Sequence, residues 1–296
     1  MKPKQLQKLL DRIRITDGRS FRLRDHDPGD TGGHLVDHAD QPALLAAGVA
    51  RLSELQALLY AEHSWSLLCV FQAMDAAGKD GTIKHVMSGV NPQGIQVTSF
   101  KAPGQEALDH DFLWRSNREM PERGRIGIFN RSHYEEVLVV RVHPDVLARQ
   151  HLPRRLVTKQ IWRHRLEDIA AFERYLARQG TVILKFFLNL SKQEQKRRFF
   201  ERMDHPDKNW KFSGADIAER AHWDKYMAAY QDAIAATAAR NAPWYVVPAD
   251  HKWFTHLMVV SAMIEALEAL GLTTPKLSPD EQARLAEARR ILEAED

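Results

Sequence analysis

Residues 73–82, AMDAAGKDGT, set one lysine, Lys79, and two aspartates, Asp75 and Asp80, among residues small enough for a backbone to close on an anion. Ala76, Ala77, Gly78, Gly81 and Thr82 let main-chain amides approach phosphate closely, and Lys79 adds a point charge, with Lys84 one turn further on. The pattern departs from GxxxxGK[ST]: Ala73 replaces the first glycine, and Asp80 stands where a magnesium-binding hydroxyl should follow the lysine. A second group follows in GRIGIFNRSHYEE, residues 124–136, where Asn130, Arg131 and Glu135 come after a short apolar run. In phosphoryl-transfer proteins an acid at such a strand end holds magnesium, and here the position is the neutral Asn130. Asp75 is then the carboxylate left to hold a cation. Facing phosphates bare, it would be repelled by several kcal/mol at low effective dielectric. The alternative for Asp75 is a solvated turn residue. Arg131 suits a bidentate grip on phosphate or a structural ion pair. Glu135 either restores a negative charge near the metal or caps the next helix.

These residues need a sheet edge to gather them. Leu67, Leu68, Cys69, Val70 and Phe71 form an apolar run before the small-residue turn, while Ile83, Val86, Met87 and Val90 after it recur at helical spacing. The turn therefore sits at a helix N-terminus, where free amides and the dipole favour anions. Further strands are expected at 95–100, 126–129, 182–188 and 244–247. Helices are striped by Val157, Ile161, Ile169, Phe172 and Leu176, by Trp223, Met227, Tyr230 and Ile234, and by Leu257, Val260, Ile264 and Leu267. Strands alternating with helices imply an α/β fold with a mainly parallel five-stranded sheet, ligands binding beyond the strands' C-terminal ends. Leu6, Leu9, Leu10 and Ile13 predict an amphipathic helix within residues 1–20, residues 25–33 an ordered loop, and Leu44 to Leu59 a helix over 42–62. The expected division is an N-terminal helical extension over 1–62, a core over 63–272 with a lid at about 191–220, and a charged helical tail over 273–296.

Composition narrows the class. The 296 residues are 44% hydrophobic with a formal charge of only +3, so a polyanion site must be a local patch and no global field favours nucleic acid or membrane. A lone cysteine, Cys69, excludes a disulfide scaffold and fits a reducing cytoplasm. The N-terminus has no apolar signal core, and no run suggests a membrane span. His34 and His38 lie four apart without a third ligand and read as surface residues in preference to a zinc site. Phe100 and Lys101 with Phe112, Trp114, Arg115 and Arg118 place aromatics beside cations, which suits a nucleobase with its phosphates or ordinary core packing. Ser191 and Glu194 form a capping-box pattern opening a segment with Lys192, Lys196, Arg197, Arg198, Arg202, Lys208 and Lys211, either a lid over polyphosphate or a solvated face.

Taken in order, AMDAAGKDGTIKHVMSGVNPQG, the FKAP segment, GRIGIFNRSHYEEVLVVRVHP and RRFFERMDHPDKNWKFS resemble polyphosphate kinase family 2 over about residues 25–270. The resemblance implies a P-loop kinase fold similar to thymidylate kinase, with a helical lid. It also implies magnesium dependence and transfer of phosphoryl groups between inorganic polyphosphate and AMP, ADP or ATP, and a homo-oligomer (dimer or tetramer). By position, Asp75 and Lys79 look like the family's phosphate-turn pair and Arg131 its strand-end arginine, while Lys101, Arg115, Arg118, Arg198, Arg202 and Lys208 would contact nucleotide or lid. Many members have aspartate at position 130 and asparagine at 135; Asn130 with Glu135 resembles the class accepting both AMP and ADP. The leading expectation is a polyphosphate:AMP/ADP phosphotransferase. An ATP-dependent small-molecule kinase would instead need a general base, with Glu135 or His133 as candidates. A nucleic-acid-binding module resting on the basic lid is disfavoured by the modest charge.

Overall fold

The computed structural model describes residues 3–33, 40–207 and 209–295; His34, His38 and Lys208 lie outside them. Six strands form one sheet in the order β1-β6-β5-β2-β4-β3: β1 Arg14–Ile15, β2 Ser66–Gln72, β3 Ile95–Ser99, β4 Ile126–Asn130, β5 Thr181–Asn189 and β6 Trp244–Pro248. All neighbours pair in parallel except β1, which runs antiparallel to β6. Five strands match those expected. The sixth, β1, is two residues added to an edge directly after the Pro3–Ile13 helix, too short to leave a period-2 signature.

β2 is central because its continuous apolar run is buried on both faces, as a parallel interior strand requires. Leu67, Cys69 and Phe71 point into one core, with Leu52 and Leu59 of the Gln41–Glu62 helix and Met258 and Val259 of the Lys252–Glu268 helix. Leu68 and Val70 point into the other, with Ile169 of the Ile161–Arg178 helix and Tyr230 and Ile234 of the Trp223–Thr237 helix. The cysteine thiol is fully buried and pushed upward by desolvation.

Several sequence expectations need correction. The helix after the small-residue turn spans only Lys79–Val86, so Met87 and Val90 lie beyond it. Val157 is exposed in the turn before Ile161–Arg178 and does not belong to that stripe. Gln41–Glu62 is long and apolar enough to cross a membrane by length and composition, which the residue count alone did not suggest. Its alanines raise the mean hydropathy while Val49, Leu52, Leu55 and Leu59 pack inward. Half of the expected capping box forms at residue 191. Ser191 Oγ accepts from the Glu194 amide at 3.0 Å, but the Ser191 amide donates to Asp250 Oδ1 at 2.8 Å and Glu194 turns to Arg197 and Arg198.

A buried polar cluster crosses the second core. Lys185, in the middle of β5, is wholly buried; its Nζ donates to Glu173 Oε2 at 2.5 Å, to the Thr237 carbonyl at 2.8 Å and to the Tyr134 hydroxyl at 3.1 Å. Tyr134 donates to Glu173 Oε1 at 2.8 Å, and Trp244 Nε1 donates to the Thr237 hydroxyl at 2.9 Å. Burial lowers the Lys185 pKa; the same burial opposes ionisation of Glu173, yet Lys185 and His133 hold that carboxyl below its usual range.

Candidate active site

The turn after β2, the ends of β3 and β4, the helix that follows β5 and the segment after β6 open on one cleft of about 620 Å³. Gly78, with φ 100°, caps the Lys79–Val86 helix in a left-handed conformation open to glycine without penalty. Ala76 at φ 63° and Arg131 at φ 64° take the same region with a Cβ, at a cost of about 1–2 kcal/mol each. Strain of this kind in two cleft residues marks backbone held in place by its surroundings. Lys79 is nearly buried, and its Nζ donates to the Ala73 carbonyl at 2.9 Å. Burial, then the nearby Arg131, lowers its pKa, with Asp75, Glu135 and Asp80 opposing.

Arg131 bridges the two sequence motifs. It lies 3.2 Å from Asp75 Oδ1 and 3.5 Å from Glu135 Oε2, and although burial opposes its charge, these two carboxylates raise its pKa overall. Glu135 sits beneath Arg131 instead of lining the cleft. Burial raises its pKa against the pull of Arg131 and Lys79. Asn130 Nδ2 donates to Asp80 Oδ1 at 2.6 Å, so the neutral residue at the end of β4 holds the acid that follows the lysine. An aspartate at 130 would set two carboxylates against each other there.

Asp75, Ala76, Ala77, Gly78, Lys79, Asp80, Gly81, Thr82, Lys101, Asn130, Arg131, Arg198 and Arg202 all line the cleft. Lys84 does not; it is exposed on its helix. Arg115 lies beside a smaller cavity of about 270 Å³, donating to the Lys101 carbonyl at 2.6 Å and pairing with buried Glu136 at 3.2 Å. Arg118 is over the Trp114 ring at 4.7 Å and pairs with Glu106, outside both cavities. His133 and Tyr134 turn into the core instead of emerging beside Lys79.

Arg198 faces the cleft without a donor to offer it. Nε donates to Glu194, one terminal nitrogen to the carbonyls of Ala76 and Ala77, and the other to those of Ala249 and Asp250, which accounts for all five guanidinium N–H groups. It clamps the turn after β2 to the segment after β6 and acts on a ligand only through its charge. Arg198→Lys should lower stability by about 1–3 kcal/mol, because an ammonium cannot reach five acceptors; urea unfolding checks this.

Sequence reasoning missed the loop after β6 and the far lid: His85, Lys252, Thr255, His256, Glu201, Trp210 and Asp216 also line the cleft. The rule that every parallel strand points its C-terminal end at the ligand, applied to β6, would have found residues 251–256. His85 and His256 stack with ring centroids 4.7 Å apart. Burial, then His85, Lys252 and Arg198, lower the His256 pKa to about 4. Since the unfolded chain binds this proton near pH 6.5 and the folded chain does not until about pH 4, stability falls as pH drops between those values. His256→Gln should flatten that part of the curve, as measured by urea midpoints from pH 7 to 4.

Comparison with known proteins agrees with this fold. Residues 36–274 match the family model described as Polyphosphate kinase 2 (PPK2). The chain is 52% identical over 250 residues to the ADP-polyphosphate phosphotransferase of Rhodopseudomonas palustris, covering 84% of this chain and 86% of that one. It is 47% identical over 262 residues to the AMP/ADP-polyphosphate phosphotransferase of Meiothermus ruber, covering 88% and 93%. The crystal structure of polyphosphate kinase 2 from Arthrobacter aurescens TC1 superposes with a TM-score of 0.86 at 42% identity, covering 96% of each chain. With its P-loop kinase architecture and a match over most of its length, the chain belongs to the polyphosphate kinase 2 family.

Proposed function

We propose that this protein transfers the terminal phosphoryl group of inorganic polyphosphate to AMP and to ADP, giving ADP and ATP. The observation carrying it is a single cleft that sets Lys79, Arg131 and Arg202 around a turn built for phosphate, beside relatives named for this activity. Lys79 and Arg131 neutralise charge on the transferring group, and Arg198 with the strained Ala76 and Arg131 backbones fixes the turn around it. The acceptor oxygen belongs to a phosphate and is already anionic, so catalysis needs positioning and charge stabilisation and no general base. The rival kinase loses its two proposed bases: His133 is 1% exposed, and Glu135 is engaged by Arg131 under the cleft. Omitting polyphosphate from an assay with ADP should abolish ATP formation, whereas a kinase drawing on ATP is indifferent to it.

The donor set fits magnesium. Asp75 opens on the cleft, and the carboxyl of Asp216 is pushed upward by burial and by the presence of Asp75, two acids facing a common space. Among the described residues no three His, Cys, Asp or Glu form a closed metal cluster, which suits an ion held by one or two carboxylates together with substrate phosphates. When bound, magnesium would offset the negative charge of the substrate phosphates. Asp75 is the proposed ligand, and residues 191–220 the proposed lid, carrying Arg202 and Asp216. The protein acts in the cytoplasm, without nucleic acid or membrane. Leu285, Ile291 and Leu292, exposed on the Pro279–Glu293 helix, support self-association as a homo-oligomer, checked by light scattering.

A further inference from the structure

Gln195 is a buried amide with a partner at each end. It lies on the Lys192–Asp204 helix at the start of the proposed lid and is 1% exposed. Its Nε2 donates to the backbone carbonyl of Asp75 at 2.9 Å, and its Oε1 accepts from Arg220 Nη1 at 2.8 Å. The same Arg220 nitrogen donates to the Lys192 carbonyl at 2.7 Å, so the last turn of the Gly214–Ala221 helix grips the first turn of the lid. The neighbouring Glu219 ties that last turn to the body: its Oε2 accepts from the Tyr226 hydroxyl at 2.6 Å and lies 3.0 Å from His143 Nε2. A continuous line of hydrogen bonds therefore runs from the end of the lid through Arg220 and Gln195 to the turn after β2.

The line lands where that turn is strained. Gln195 holds the carbonyl of the peptide before Ala76, and Arg198 holds the carbonyl of the peptide after it at 3.0 Å. The two peptides bracket the φ of 63° that Ala76 adopts. A planar peptide cannot turn its C=O without turning its N–H, so the bond to the Asp75 carbonyl also fixes the amide of Ala76, a residue that lines the cleft. Without Gln195 the left-handed Ala76 is free to relax, and that amide and the Asp75 side chain move with it.

We propose that Gln195 is a positioning residue: coupled to the lid through Arg220, it sets the Asp75–Ala76 peptide for phosphoryl transfer when the two ends of the lid are drawn together. The inference rests on the polyphosphate reading above.

The test measures ATP formation from polyphosphate and ADP by Gln195→Glu, Arg220→Met and the double variant. Gln195→Glu keeps the size and the acceptor for Arg220 and puts an oxygen in place of the donor that faces the Asp75 carbonyl. Arg220→Met leaves the contacts of the turn itself in place and changes a partly exposed residue, so it carries the test should the buried substitution unfold the chain. Each single variant should lower kcat about tenfold, the fold-change of one net hydrogen bond, with KM for both substrates changed less than twofold and a cooperative thermal melt preserved. The double variant should be no slower than the slower single variant, because both changes break one line. A kcat within twofold of wild type in a folded single variant, or losses that multiply in the double variant, overturns the coupling and leaves the activity standing. A wild-type protein that makes no ATP from polyphosphate overturns the polyphosphate reading and this inference with it.

Discussion

Lys79→Ala is expected to lower kcat by about 10²–10³ with polyphosphate and ADP, the usual loss when one preorganised transition-state donor is removed. The ammonium is nearly buried and spends one hydrogen on the Ala73 carbonyl, which leaves the others for the phosphates proposed to enter the turn. Truncation removes a partly desolvated charge from the folded protein, so the melting temperature should hold or rise while turnover collapses. That combination separates a catalytic loss from unfolding. Asp75→Ala should fall by a similar factor and raise the magnesium concentration needed for half-maximal rate. It also releases Arg131, 3.2 Å away, so Asp75→Asn is the cleaner probe of the proposed metal role. Turnover within threefold of wild type in Lys79→Ala would contradict the role assigned to that lysine.

The second large effect is structural. Lys185→Met should destabilise the fold by about 3–5 kcal/mol, because it leaves Glu173 ionised inside the core without its lysine partner. Removing both charges, in Lys185→Met with Glu173→Gln, should recover much of that loss, since a buried pair replaced whole by neutral groups costs far less than a broken one. Without Lys185 the carboxyl becomes easier to protonate, so the single variant's deficit should shrink as pH falls from 7 toward 5. Urea unfolding of the two single variants and the double gives the coupling directly. A single-variant loss under 1 kcal/mol would mean that water or relaxation reaches Glu173.

These two lysines also show what could be read in advance. Lys79 was legible because a lysine inside a run of small residues, between an apolar strand and a helical stripe, has a mechanism attached to it. Lys185 was not, because a charge within VILKFFL looks like an interruption of a strand until Glu173, Tyr134 and Thr237 are folded around it. The five parallel strands announced themselves through apolar runs, while β1 consists of two residues recruited by an edge. The same divide runs through the cleft. Asp75, Lys79 and Arg131 come together because neighbouring strand ends must converge. Arg198 and Arg115 carry the right charge in the right segments, but a sequence does not say which way a guanidinium points; the structure turns one onto backbone carbonyls and the other onto Glu136. His85 and His256 meet only because two helices pack side by side, and nothing local in either segment marks the pair.

The most direct measurement follows nucleotide products over time when purified protein is given AMP, polyphosphate and magnesium, with no nucleoside triphosphate present. ADP is expected first and ATP after it, with polyphosphate consumed and both products lost in Lys79→Ala. A wild-type reaction that leaves AMP unchanged, or that makes ADP only when ATP is supplied, would contradict the proposed transfer.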